Sequence, residues 1–165
     1  MGTPTTSAFR RERNEYGPNY DNDYLTLYSD YVASADRISD RRQLANSFFL
    51  TANTALLALT GYFSEDGDSL IWLAAFAGIL FSFTWRRLIT AYRNLNAAKF
   101  DVINQLEQRL PFAAYEEEWV RLKQREAGHG GFSTIESIVP ATFMMLHGAV
   151  FMFSAVRWIQ MHTAG

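Results

Sequence analysis

The chain contains no cysteine. That excludes a disulfide framework and thiolate metal sites, and it fits a cytosolic or inner-membrane location. A basic excess is missing too: 15 Lys and Arg against 17 Asp and Glu leave a net charge of −2. Direct nucleic-acid binding, which needs a strongly basic face, is therefore not expected. The 3 histidines, His129, His147 and His162, lie far apart and lack metal-ligand spacing, so no metal site is expected. No strand is predicted and no glycine-rich phosphate loop follows one. Glu116–Glu118 reads as a solvated helix face rather than an acid–base pair. No enzyme activity, catalytic residue or cofactor is expected. Helix breakers are absent from Asn19 to Thr60, and only Gly78 interrupts Ser69–Leu110 before Pro111.

What the chain has is concentrated in three uncharged apolar blocks, hidden behind a mean hydropathy of −0.11. Leu44–Phe63 and Ile138–Val156 have the length of about 20 residues that crosses a bilayer core as a helix. Leu70–Trp85 is slightly shorter, with Trp72 and Trp85 near its ends, where interfacial aromatics belong. Three membrane helices are therefore expected in a chain of 165 residues. Met1–Asn19 carries Arg10, Arg11 and Arg13 with no signal-type apolar region, and reads as a disordered arm rather than a cleaved leader.

Orientation follows from the basic residues. Arg37, Arg41 and Arg42 precede the first block, and Arg86, Arg87, Arg93 and Lys99 follow the second. The link Ser64–Ser69 has no Lys or Arg. The positive-inside rule places the N-terminus and residues 86–133 in the cytoplasm, and link 64–69 and the C-terminus outside. Arg41, Arg42, Arg86 and Arg87 would hold the cytoplasmic ends at the lipid headgroups. The first two helices would each run about 60 Å, twice the hydrocarbon thickness, so half of each should form a cytoplasmic stalk.

Apolar stripes at spacings of three and four suit that stalk. On the first helix they are Tyr20, Tyr24, Leu27, Tyr31, Ala35 and Ile38. On the second they are Leu88, Tyr92, Leu95, Val102, Leu106 and Leu110. The six-residue link makes the helices antiparallel neighbours, placing Ile38 near Leu95 and Tyr24 near Arg109 and Leu110 in a coiled-coil-like seam. The expected architecture is an all-α integral membrane protein: an arm (1–19), a helical hairpin with stalk and a short amphipathic helix (20–125), then a Gly-rich break and third membrane helix (126–165). Ser133 and Glu136 form a capping-box pattern at the start of that helix.

Within the spans, Asn46, Asn53 and Thr60 are seven apart and make one polar line, drifting only about 20° per step. Ala74, Gly78 and Ser82 form a small-xxx-small face suited to close helix packing. Two readings stay open. Several copies could close around an axis, with Asn46, Asn53 and Thr60 lining a pore and Leu57 packed beside Asn53. Alternatively, the amides hydrogen-bond between helices and hold a bundle together. His147, the one ionisable group inside a span, is expected to be neutral and bonded to a neighbouring helix.

Arg41-Arg42 through Asn46, Phe49-Leu50 and Asn53 resembles the signature of the SLATT family, the SMODS- and SLOG-associating two-transmembrane effectors. Trp85, Arg86, Tyr92, Asn96, Lys99, Phe100, Glu107, Leu110 and Pro111 resemble the segment that follows that family's second span, and Glu118-Trp119 falls where a match is expected. The resemblance covers roughly Tyr28–Leu122. It implies a pore-forming effector of a bacterial conflict system, gated by a cytoplasmic sensor or nucleotide-signalling partner, whose opening depolarises the membrane and arrests growth. The third apolar segment departs from the family's two-span core. A homo-oligomer is expected to close symmetrically, here drawn with four copies. The competing class is a non-conducting membrane adaptor for a cytoplasmic defence enzyme.

Overall fold

A computed structural model describes residues 8–62, 68–126 and 132–163. The 64–67 part of the expected link and the break at Gly128–Gly131 lie outside the described residues. Of the expected arm, residues 1–7 also lie outside, while α1 spans Arg13–Tyr16. Gly17, at φ +108°, supplies a backbone turn that side chains resist, and the chain then enters α2 (Tyr20–Tyr62). With no breaker inside it, α2 runs for 43 residues. After it come α3 (Asp68–Glu107), α4 (Ala114–Glu126) and α5 (Phe132–Thr163). α3 ends short of Pro111, and α5 begins at Phe132, one residue before the expected Ser133. Among the described residues there is no strand, so the fold is all-α.

α3 is the middle of the molecule. It packs along both α2 and α5, while α2 and α5 scarcely meet. Polar pairs set the antiparallel register of α2 and α3. Tyr24 donates to the Leu106 carbonyl. Lys99 donates to Ser34 Oγ at 2.7 Å, Trp85 Nε1 to Asn46 Oδ1 at 2.8 Å and Ser82 Oγ to Asn53 Oδ1 at 2.8 Å. Arg109 reaches Tyr20, about one helical turn from the expected neighbour Tyr24. α5 runs antiparallel to α3, with Trp72 against Phe151, Gly78 against His147 and Trp85 against Phe143. The Phe49, Trp85 and Ile89 cluster, with Phe143 packed on it, joins all three helices.

The seam keeps most of the expected stripes and departs from them at Leu27 and Leu95. It buries Ala35, Ile38, Ile103 and Leu106, with Tyr24, Tyr31, Tyr92 and Val102 half-buried beside it. Leu27 and Leu95, both placed in the seam from their spacing, are 53% and 48% exposed. The straight-helix line through Tyr28, Ala35, Asn46, Asn53 and Thr60 faces α3. On α3 the corresponding line is Trp85, Ile89, Tyr92, Asn96, Lys99 and Ile103. Lys99 occupies the middle of this seam, bonded to Ser34 and lying 4.5 Å over the Tyr31 ring. Leu95→Asp should therefore shift stability by no more than about 0.5 kcal/mol, as for an ordinary surface change. Thermal unfolding of the purified variant in detergent checks this; a large loss would return Leu95 to the seam.

Among the described residues, two helices are long and apolar enough to cross a membrane: α3 from Ile71 and α5 from Glu136. Of the block Leu44–Phe63, expected as the first span, the described part to Tyr62 is not matched by such a helix. Asn46, Ser47, Thr51, Asn53, Thr54 and Thr60 dilute its hydropathy.

Candidate functional site

The polar residues of α2 divide between two faces. The first is internal. Asn53 is fully buried, accepts from Ser82 Oγ and donates through Nδ2 to the Phe49 carbonyl at 2.8 Å. Asn46 accepts from the Trp85 indole. Thr60 is buried and donates to the Leu57 carbonyl at 2.7 Å, with Leu57 half-buried beside it. The expected pore line of Asn46, Asn53 and Thr60 thus turns toward α3 within one protomer. The physical reason is satisfaction: an amide in an apolar segment needs a partner, and Ser82 and a carbonyl supply it without water.

The small-xxx-small face of α3 serves both neighbours. Ser82, fully buried, meets Asn53 of α2, whereas Gly78 meets His147 of α5. Ala74 is half-buried, and Ala75 beside it is fully buried. The His147 ring lies where a side chain at residue 78 would stand, stacked toward Phe143. His147 is fully buried, and neither ring nitrogen has a hydrogen-bond partner among the described residues. The expected bond to a neighbouring helix is replaced by a steric fit over glycine.

The second face of α2 points away from the protomer. Asp36, Asp40, Gln43, Ser47, Thr51, Thr54, Ala58 and Gly61 are all exposed. At 100° per residue they share one side of the helix, about a third of a turn from the Asn53 line. Thr51 and Thr54 donate to the carbonyls of Ser47 and Leu50 at 2.9 and 2.8 Å, which leaves their oxygen lone pairs outward. The exposed faces of the other two helices are apolar: Leu73, Phe76, Leu80 and Phe83 on α3, and Met145, Met152, Phe153 and Val156 on α5. Sequence spacing missed the outward polar face because Ser and Thr pass as ordinary components of an apolar run.

At the level where Trp85 meets Asn46, the basic residues gather. Arg41, Arg86 and Arg87 are exposed, and Arg42 pairs with Glu136 of α5 at 3.7 Å. At the far end of the hairpin a buried carboxylate, Glu107, anchors α4. It accepts from Tyr28 Oη at 2.9 Å, from the Tyr115 amide at 3.1 Å and from the Glu116 amide at 3.3 Å. Burial, then the bond to Glu107, pushes the Tyr28 phenol up to about 12. The phenol therefore stays protonated and donates across the physiological range. Among the described residues no group of His, Asp or Glu side chains could hold a metal.

Long antiparallel helices, two of them apolar over a membrane's width and carrying greasy outer faces, define an all-α membrane protein. The chain belongs to the octameric membrane protein family (8xMP), whose model matches residues 25–156. No curated protein and no solved structure matches it.

Proposed function

We propose that the chain is the subunit of an octameric membrane pore, with the outward face of α2 toward the central axis. The carrying observation is one strip of α2, Ser47, Thr51, Thr54, Ala58 and Gly61, which is exposed and free of large apolar side chains, between exposed Leu50 on one side and Leu44, Phe48 and Leu59 on the other; the exposed faces of α3 and α5 carry mainly Leu, Phe and Met. Lipid accepts the latter, and the former call for water or protein. The family name supports eight copies in place of the four expected from the sequence. By the positive-inside rule, the end bearing Arg41, Arg42, Arg86 and Arg87 lies in the cytoplasm of a bacterial inner membrane, and the C-terminus lies outside. The resemblance to SLATT effectors supports a role in bacterial conflict, in which a cytoplasmic sensor or nucleotide-signalling partner opens the pore, depolarises the membrane and arrests growth. The exposed Trp119 and Leu122 of α4 would also suit a docking adaptor, which would not conduct.

The absence of cysteine makes a clean test available. Thr54→Cys protein in liposomes should carry potassium flux that falls when a charged, membrane-impermeant thiol reagent is added. Phe153→Cys on α5 should carry flux that the reagent leaves alone. If neither protein conducts, the adaptor takes the place of the pore; block at residue 153 alone would move the axis to α5.

A further inference from the structure

We infer that the pore is wide, admitting small uncharged solutes as well as ions. This rests on the octameric-pore reading and concerns what such a pore lets through. On α2, Asp36, Asp40, Gln43, Ser47, Thr54, Ala58 and Gly61 fall within a sector of about 60° at 100° per residue, with Leu50 and Thr51 at its edges. All of them are exposed in the protomer. Within the apolar stretch this sector carries only Ser47, Thr54, Ala58 and Gly61. No ionisable group lies between Gln43 and Gly61.

Eight such helices cannot close tightly. Neighbouring axes about 8–10 Å apart put a ring of eight at a radius of about 10–13 Å, and a helix radius of about 5–6 Å leaves a lumen roughly 10–15 Å across. A ring of four at the same spacing leaves about 4 Å or less, the scale of a bare ion. The short side chains of the sector do not refill the wider space. Asp36 and Asp40 from every copy stand at one mouth. They favour cations at entry but present no barrier to a neutral molecule.

The test uses the purified full-length protein in liposomes loaded with potassium, radiolabelled sucrose and a high-molecular-weight dextran. Potassium and sucrose should both escape while dextran stays. Thr54→Phe, which sets a ring of aromatic side chains into the lumen, should cut sucrose release by about tenfold or more and spare more of the potassium flux. A bulky thiol reagent on Thr54→Cys protein gives the same narrowing after folding is complete. Potassium flux without sucrose release overturns the wide lumen and leaves the pore standing. Absence of potassium flux overturns the pore itself. Loss of dextran means membrane rupture and overturns both.

Discussion

Replacing Gly78 by alanine detaches α5 from α3. A Cβ at residue 78 would stand 2.2–2.3 Å from three atoms of the His147 ring, closer than real Cβ contacts come. The imidazole is rigid and enclosed, so the helices themselves must separate. The cost should reach about 3 kcal/mol, the upper end for overpacking a core. The same substitution at Gly61 or Gly148 meets nothing within 4 Å. In those helices it should be neutral or stabilise by about 0.4–1 kcal/mol, since alanine loses less backbone freedom. Thermal unfolding in detergent, followed by intrinsic fluorescence, ranks the three variants. Combining Gly78→Ala with His147→Ala should recover much of the loss. If Gly78→Ala unfolds with Gly148→Ala, the notch described between α3 and α5 is not there.

Glu107→Ala should free α4. The carboxylate is 1% exposed and collects two backbone amides from the first turn of α4 together with a phenol. Its negative charge also faces the positive end of the α4 dipole. Alanine leaves three part-buried donors without this acceptor, at an expected cost of about 1–3 kcal/mol. A helix of 13 residues has little stability of its own, so it should fray once its anchor is gone. Trypsin should then cut at Arg121 and Lys123 far faster than in the parent protein, and Glu107→Gln, which keeps an acceptor oxygen, should fall between the two. Equal cleavage rates in all three would show that Glu107 does not hold α4.

Much of the hairpin was legible in the sequence because long helices need only the absence of breakers. The run from Asn19 to Thr60 has none, and α2 fills it from Tyr20 to Tyr62. The helix after Pro111 was legible from its amphipathic pattern, with Tyr115, Trp119 and Leu122 on one side and Glu116–Glu118 on others. The seam was harder. Spacing of three and four selects a broad band, and leucine drew the stripe toward Leu27 and Leu95. The chain closes around the expected Ala35, Ile38 and Leu106 together with Ile103 and a lysine, whose suitability depends on Ser34 and Tyr31 lying opposite it. Asn46 and Asn53 stood out as polar residues in an apolar block. Their partners Trp85 and Ser82 depend on a register that no local signal carries. Glu107 gave no sign at all, since a carboxylate near the end of a helix reads as surface until α4 folds back over it. The outward face of α2 was hidden for the opposite reason: nothing in Ser47, Thr51 or Thr54 says which side the neighbours leave uncovered.

The central place of α3 also sets an order of construction. α5 takes nearly all its contacts from α3, and α2 completes its internal amide pairs with α3 alone. The hairpin can therefore close while the ribosome is still making the final segment. At that moment Gly78 is an unfilled gap on the free side of α3, open to lipid. α5 carries the histidine that fills it, and Glu136 near its start then meets Arg42 of α2. A nascent chain stopped before α5 would keep its hairpin and leave the Gly78 side of α3 uncovered.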